Sequence, residues 1–400
     1  MTAQKTVKRI LLLVTHLTFG GAETQVVRLA QEYTQLGKKV CVVSMIHPET
    51  WVEKLRQSGV EVRSLGMARG LPDPRAILRL RQVIREFCPD VVHCHMFHAN
   101  MLGRITRLIC RMPVVISTVH NLRETSERGG STEWKELLYR FTDRLGTRTT
   151  IICQAAFDRY VAVKAVPRHR LTMIPNGVDV EQFQPSAEAR TRARLALGID
   201  NKFFWLAVGR LVAQKDYPNL FGALEQMEGD SFAVAVAGSG PLDAALRAEC
   251  ERRGLNGKVR FLGAREDIRD LYNAADAFVM SSEFEGFSMA LLEAACTELP
   301  IVATDAGGNR EIVCDQTTGF LVPTNNSREL AKAMKQVMDL PAASRLQMGQ
   351  AGRKFCYDRF QIRRVVEQWF DFYSKCLSGS GHASYSNPTD AEFARRGELS

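Results

Sequence analysis

Four hundred residues exceed what one hydrophobic core comfortably supports, so a chain with 45% hydrophobic residues is expected to fold as two globular domains of similar size. The formal charge of +9 favours anionic partners such as phosphates or acidic lipid surfaces, while the lack of a basic motif interleaved with aromatics argues against nucleic acid. Ten cysteines without a C-x-x-C spacing read as reduced, buried thiols of a cytosolic protein, and no stretch approaches the ~20 apolar residues of a membrane span.

From Arg9 to Val178, apolar runs alternate with amphipathic stretches. Ile10 to Thr15, Val40 to Met45, Val60 to Leu65, Val91 to His95, Val114 to Val119, Ile151 to Gln154 and Leu171 to Ile174 read as strands. Between them lie helical patterns such as Arg75 to Phe87, where Ile77, Leu80, Ile84 and Phe87 share a face. The apolar run after Lys8 and Arg9 is too short for a signal peptide. This alternation predicts a doubly wound, parallel α/β sheet.

After Asn176-Gly177-Val178-Asp179 the pattern restarts. Strands are expected at Phe203 to Val208, Phe232 to Ala237, Val259 to Leu262, Ala277 to Met280, Ile301 to Thr304 and Phe320 to Val322. Helices are expected at 219–227, 242–253, 267–274, 288–296 and 327–338. The predicted organisation is a Rossmann-like domain over 1–178, a second over 179–360, an amphipathic helix over 361–377 and a polar, disordered tail over 378–400. Ligands in open α/β sheets lie beyond the carboxyl ends of the strands, which places the expected site in a cleft between the two halves.

Several short motifs fall at those strand ends. Gly20-Gly21 follows the first strand and opens a helix, which suits close approach of an anion; an ordinary tight turn is the alternative, and the spacing is not the G-x-G-x-x-G of a nicotinamide dinucleotide site. His93 and His95 share a strand face, with Cys94 between them and His98 nearby, yet only Asp90 offers a neighbouring carboxylate, so metal binding is not expected. His120 ends the fifth strand, as a site residue or as a core histidine. In Gly209-Arg210-Leu211-Val212-Ala213-Gln214-Lys215, the arginine fork and the lysine point charge can converge on one diphosphate, or remain solvated surface cations. Gly238-Ser239-Gly240-Pro241 permits a backbone approach to a nucleotide, or is a plain turn with Pro241 at the first helical position.

The most informative stretch is Ser281 to Cys296, a strand-to-helix connection carrying Glu285 and Glu293. Ser288 is expected to cap the helix, leaving the amides of Phe287, Ser288 and Met289 for an anion, while a carboxylate such as Glu293 suits a vicinal diol. No aspartate has another two positions away, so no D-x-D is present to hold a divalent ion against a diphosphate. Positive charge must then come from Arg210, Lys215 and helix ends.

In this order and spacing, Gly20-Gly21-Ala22-Glu23, Asp90 to His95, Pro175 to Asp179, Gly209-Arg210 with Lys215-Asp216, Gly238 to Pro241, and Glu285-Gly286-Phe287-Ser288 with Glu293 resemble the retaining GT-B glycosyltransferases of family 4 from about Arg9 to Tyr373. The resemblance implies two tandem Rossmann-like domains facing each other across a cleft, with the last helix crossing back to the first. It implies transfer of a sugar from a nucleotide diphosphate, with retention, to a hydroxyl of a glycan or lipid-linked glycan, in bacterial cell-surface polysaccharide assembly. A UDP-sugar is the favoured donor and GDP-mannose the next; neither a metal nor another cofactor is expected. Glu293 would hold the ribose, Glu285 would sit by the donor sugar with Gly286, and Phe287 and Ser288 would bind sugar and phosphate. Arg210 and Lys215 would neutralise the diphosphate, with Asn176, Gly209, Gly238 and Gly240 completing the donor side. Gly20 and Gly21 would close over the phosphates, and His120 would lie near the anomeric carbon. A nucleotide-sugar epimerase of the same fold and an inactive nucleotide-binding relative are the alternatives.

Arg104, Arg107, Arg111, Arg123, Arg128, Lys135, Arg140, Arg144 and Arg148, beside Leu102, Ile105, Leu108, Trp134 and Leu138, suggest peripheral docking on an anionic membrane surface, with solvated helix faces as the alternative. The segments Phe97 to Leu102 and Leu122 to Trp134 are expected to select the acceptor.

Overall fold

Two parallel sheets organise the chain in the computed structural model, which describes residues 6–48, 50–122, 133–199, 202–229 and 231–379. The tail from Ser380, Arg123, Arg128 and most of the segment Leu122 to Trp134 lie outside the described residues.

The first sheet comprises β1 (Arg9–Val14), β2 (Lys39–Ile46), β3 (Glu61–Met67), β4 (Val91–His95), β5 (Val114–Val119), β6 (Arg148–Ile151) and β7 (Leu171–Met173) in the order β3-β2-β1-β4-β5-β6-β7. The second comprises β8 (Phe203–Val208), β9 (Phe232–Ala237), β10 (Val259–Gly263), β11 (Ala277–Met280), β12 (Ile301–Thr304) and β13 (Gly319–Val322) in the order β10-β9-β8-β11-β12-β13. Helices cover both faces, so central strands such as β9, Phe-Ala-Val-Ala-Val-Ala, are buried at every residue. Each sheet has one point where the winding direction reverses, between β1 and β4 and between β8 and β11. Loops leaving adjacent strands splay apart there, which makes those ends the natural ligand sites.

The chain divides into one unit of residues 1–175 with 365–400 and another of 176–364. The last helix, Ile362–Leu377, therefore belongs from Val365 onward with the first sheet. Its Trp369 and Tyr373 are buried, with the Trp369 ring 4.5 Å from His93 and the Tyr373 hydroxyl 3.2 Å from that of Tyr33.

Four features depart from expectation. The sixth strand runs Arg148–Ile151 rather than Ile151 to Gln154, and Gln154 opens a helix. Its sequence, Arg-Thr-Thr-Ile, is polar because Thr149 and Thr150 bond to Arg104 and Thr118, so hydropathy alone places it too far along the chain. Two helices without a broad apolar stripe, Ala187–Leu197 and Ala342–Phe360, were not anticipated. The second buries Gly349, Gly352, Cys356 and Phe360, and a Cβ at Gly349 would overlap the carbonyl oxygen of Glu298. Close backbone approach at Gly349, together with the buried Cys356 and Phe360, holds that helix in place.

Pro241 is not the first helical residue; the helix Asp243–Arg252 begins two positions later. Finally, the basic surface must be redrawn. Arg104 has no exposure and bonds to Ser117 at 3.0 Å, Thr142 at 3.0 Å and Thr149 at 2.7 Å. Lys135, Arg148 and Leu102 are buried as well, so these four residues do not belong to a docking surface.

Candidate active site

In the second unit the site grows from the end of β11. Ser281 and Ser282 leave the strand, Glu283 to Phe287 form the turn, and Ser288 caps the helix Met289–Cys296 by accepting a hydrogen bond from the Leu291 amide. The Lys215 ammonium, carried on a short 3-10 turn after β8, donates to Glu285 Oε1 at 2.6 Å. Ser282 donates to the same oxygen, also at 2.6 Å. Glu285 and Ser282 are buried, and a buried carboxylate needs such partners to offset its lost hydration.

The surrounding loops are laced to this pair. Ser281 donates to the Lys215 carbonyl at 2.9 Å, Thr304 to the Ser282 carbonyl at 2.6 Å and Gln214 to the Phe284 carbonyl at 2.9 Å. Asn176 donates to the Phe287 carbonyl at 3.2 Å, and the Phe287 ring packs 5.1 Å from that of Phe360. Glu293, on the helix, is buried and accepts from the Tyr272 hydroxyl at 3.1 Å.

The glycines serve this scaffold more directly than expected. A Cβ at Gly238, whose φ is +149°, would overlap the Gly209 carbonyl, and one at Gly240 would overlap that of Leu211. A Cβ at Gly307 would overlap the Glu285 carbonyl, and the Gly308 amide donates to the Gly286 carbonyl at 3.0 Å. The glycines thus let neighbouring strand-end loops stack backbone on backbone. Gly209 also leaves room for the Lys215 stem, which would lie 3.0 Å from its Cβ. Arg210 is exposed, and the convergence expected of it with Lys215 is not made by protein contacts: Lys215 is turned to Glu285. Ser282, Tyr272, Gln214 and Thr304 were missed. The doubled serine ahead of Glu285 was a local signal for the first and the neighbouring Lys215 for Gln214; Tyr272 comes from the helix Ile268–Ala274 and Thr304 from the end of β12, both distant in the chain from Lys215.

At the end of β1, Gly20 is extended and precedes the helix Gly21–Gln35. The Glu23 carboxylate folds back so closely that a Cβ on Gly20 would overlap it, and Glu23 Oε1 lies 2.7 Å from His16 Nδ1. This helix start, read as an anion seat, therefore carries a carboxylate of its own. Across β4 and β5, His95 Nδ1 lies 2.9 Å from His120 Nε2. Burial pushes His120 down to about 4 against the opposing pull of Glu23, and pushes His93 and His95 well below the usual imidazole range. His93 has both nitrogens engaged, with Tyr373 and Thr118 at 2.6 Å each, which leaves it no lone pair directed at a metal.

Comparison with known proteins decides the family. The profile described as Glycosyl transferases group 1 matches residues 190–355 and that described as Glycosyltransferase Family 4 matches residues 19–182. The UDP-Gal:alpha-D-GlcNAc-diphosphoundecaprenol alpha-1,3-galactosyltransferase of Escherichia coli is 30% identical over 315 residues, 76% of this chain and 80% of that protein. The chain belongs to glycosyltransferase family 4. The lipopolysaccharide core biosynthesis mannosyltransferase LpsB of Rhizobium meliloti is 28% identical over 320 residues, 76% of this transferase and 87% of LpsB. Anabaena HepE, solved with UDP-glucose, superposes with a TM-score of 0.81 at 24% identity over 93% of this chain and 99% of its own. The fold is accordingly GT-B, and this retaining transferase moves a sugar from a nucleotide-sugar donor.

Proposed function

We propose that the transferase uses a UDP-sugar to extend a lipid-linked glycan during assembly of a bacterial cell-surface polysaccharide, without a metal ion. The observation that carries this reading is the Lys215–Glu285–Ser282 cluster at the β8/β11 reversal. The names of the Escherichia coli galactosyltransferase and the UDP-glucose held by HepE favour uridine, and the mannosyltransferase relative keeps GDP-mannose as the next donor.

In this reading an arriving diphosphate competes with Glu285 for Lys215 and draws Arg210 towards it. Rupture of the anomeric C–O bond places negative charge on the departing nucleotide, where Lys215 and the amides of Phe287 and Ser288 receive it and the recruited Arg210 adds its charge. Glu285, freed at one oxygen, serves the donor sugar beside Gly286, and Glu293 accepts from the ribose diol. Gly20, Gly21 and His120 act from the first unit, His120 at the sugar. The leaving phosphate removes the acceptor proton. With no D-x-D in the chain, fixed cations replace a divalent ion.

Incubation with UDP-sugars and a polyprenyl-diphosphate-linked sugar tests the proposal. Free UDP together with an elongated lipid is expected, with turnover unchanged in EDTA. Epimerised donor without UDP release would favour the epimerase reading, and loss of turnover in EDTA would end the metal-free one.

A peripheral membrane role is supported by a redrawn surface on the first unit. Leu108, Ile109, Trp134, Leu137 and Phe141 are exposed, Phe141 at 76%, and Arg111, Arg140 and Arg144 are exposed among them. No described helix is long and apolar enough to cross a membrane. Apolar side chains flanked by arginines match an anionic lipid surface. Flotation with acidic vesicles, lost in the Trp134→Ser/Phe141→Ser double variant, is the expected result; a protein that stays out of the vesicle fraction counts against docking.

A further inference from the structure

A row of polar side chains crosses the first sheet beneath the last helix. His93 and His95 occupy one face of β4, and Thr118 and His120 meet them from β5 and its end. His93 is fixed by Tyr373 and Thr118, and its ring lies against that of His95 with centroids 3.9 Å apart. His95 bonds to His120 through Nδ1 and Nε2. The outer nitrogens, His95 Nε2 and His120 Nδ1, are sealed from water with no hydrogen-bond partner among the described residues. Native proteins rarely leave buried polar atoms in that state without a use for them.

His95 Nδ1 and His120 Nε2, 2.9 Å apart, share one proton, burial opposing a charge on either ring, and the position of that proton dictates the outer nitrogens. If His95 donates from Nδ1, His120 carries its own proton on Nδ1. If His120 donates from Nε2, its Nδ1 is a bare acceptor. The bond thus couples the two tautomers: His120 offers Nδ1–H when His95 donates and a bare Nδ1 when His95 accepts.

We propose that His95 is a positioning residue for sugar transfer: stacked on His93, it clamps the His120 ring through Nε2 and holds it in one tautomer, so that the outer Nδ1 meets a sugar hydroxyl in a single role, donor or acceptor. His95 is 1% exposed and His120 8%, so His120 is the less enclosed of the two residues. The proposal rests on the reading of His120 as a residue at the donor sugar.

The test pairs His95→Leu, which keeps volume but removes the bond, with His95→Asn, which retains a polar atom near the Nδ1 position. His120 is followed by 15N NMR of its imidazole, and turnover and donor KM are measured in parallel. The wild type is expected to show one dominant His120 tautomer. His95→Leu should mix the tautomers and lower kcat about tenfold with donor KM little changed, and His95→Asn should restore most of both. An unaltered tautomer and kcat in His95→Leu, or His95→Asn as impaired as His95→Leu, overturns the positioning role. If the leucine variant does not fold, the wild-type spectrum decides, and two equally populated tautomers there reject the proposal. His120→Ala separates the two claims: full turnover in that variant removes His120 from the reaction, whatever the tautomer measurement shows.

Discussion

Lys215 and Glu285 stand 70 residues apart in the chain and meet at 2.6 Å at the carboxyl end of the second sheet. Glu285 Oε1 takes both the ammonium and the Ser282 hydroxyl, so the pair is held in one geometry from two sides. The lysine is thereby fixed where the leaving diphosphate is proposed to develop charge.

Lys215→Ala is expected to lower turnover about a hundredfold or more, the usual consequence of losing one preorganised donor to a developing anion. Ser282→Ala, which removes one hydrogen bond and keeps the cation, should cost about tenfold. Steady-state UDP release measures both. Wild-type turnover in Lys215→Ala would exclude Lys215 from the site.

Glu293 is buried with its carboxylate on the Tyr272 hydroxyl. If it binds the ribose diol, Glu293→Gln should raise donor KM by about tenfold or more, since hydrogen bonds to a charged group are the stronger kind. Tyr272→Phe, which leaves the carboxylate in place, should raise it less. Isothermal titration with UDP checks the order, and equal affinities for Glu293→Gln and wild type would move the ribose elsewhere.

Gly238→Ala should lower the melting temperature as well as donor binding. The residue sits at φ +149°, and its new Cβ would overlap the Gly209 carbonyl. Strain of this kind costs about 1–3 kcal/mol before any clash is relieved. Gly257, with open space around its Cβ position, is the control: Gly257→Ala should melt as wild type does. Equal melting temperatures for the two variants would show that the β8 and β9 loops do not depend on their contact.

Acid should destabilise the first unit through its buried histidines. Folding depresses His120 from 6.5 to about 4, so between those values the unfolded chain binds more protons than the native one. Stability is fully present above pH 6.5 and falls as the pH drops towards 4, by roughly 3 kcal/mol for a gap of this size. His93 and His95 act in the same direction, both through burial. Urea unfolding of wild type and His120→Asn from pH 7 to 4.5 reads the effect; the variant should show the shallower slope, and identical slopes would refute the assignment.

Most strands were legible because a parallel sheet covered on both faces demands unbroken apolar runs, as in β8 and β9. Where buried polarity replaces hydrophobicity, that signal fails. β6 is Arg-Thr-Thr-Ile, and Arg104, which reads as a surface cation, is fully buried because Ser117, Thr142 and Thr149 satisfy its guanidinium. The helix Ala342–Phe360 escaped notice for a related reason, since it packs through glycines.

Local order in the chain was enough to establish the βα alternation, the restart after Asp179, the strand-to-helix turn at Glu285 and the Ser288 cap, because each depends on residues adjacent or a few positions apart. Tertiary structure alone decided that Lys215 pairs with Glu285, that Tyr272 reaches Glu293 and that His95 bonds to His120. These contacts join side chains from different strands, helices and turns that each sheet's strand order brings together, and hydrogen-bond geometry, unlike hydropathy, leaves no periodic trace in a linear chain.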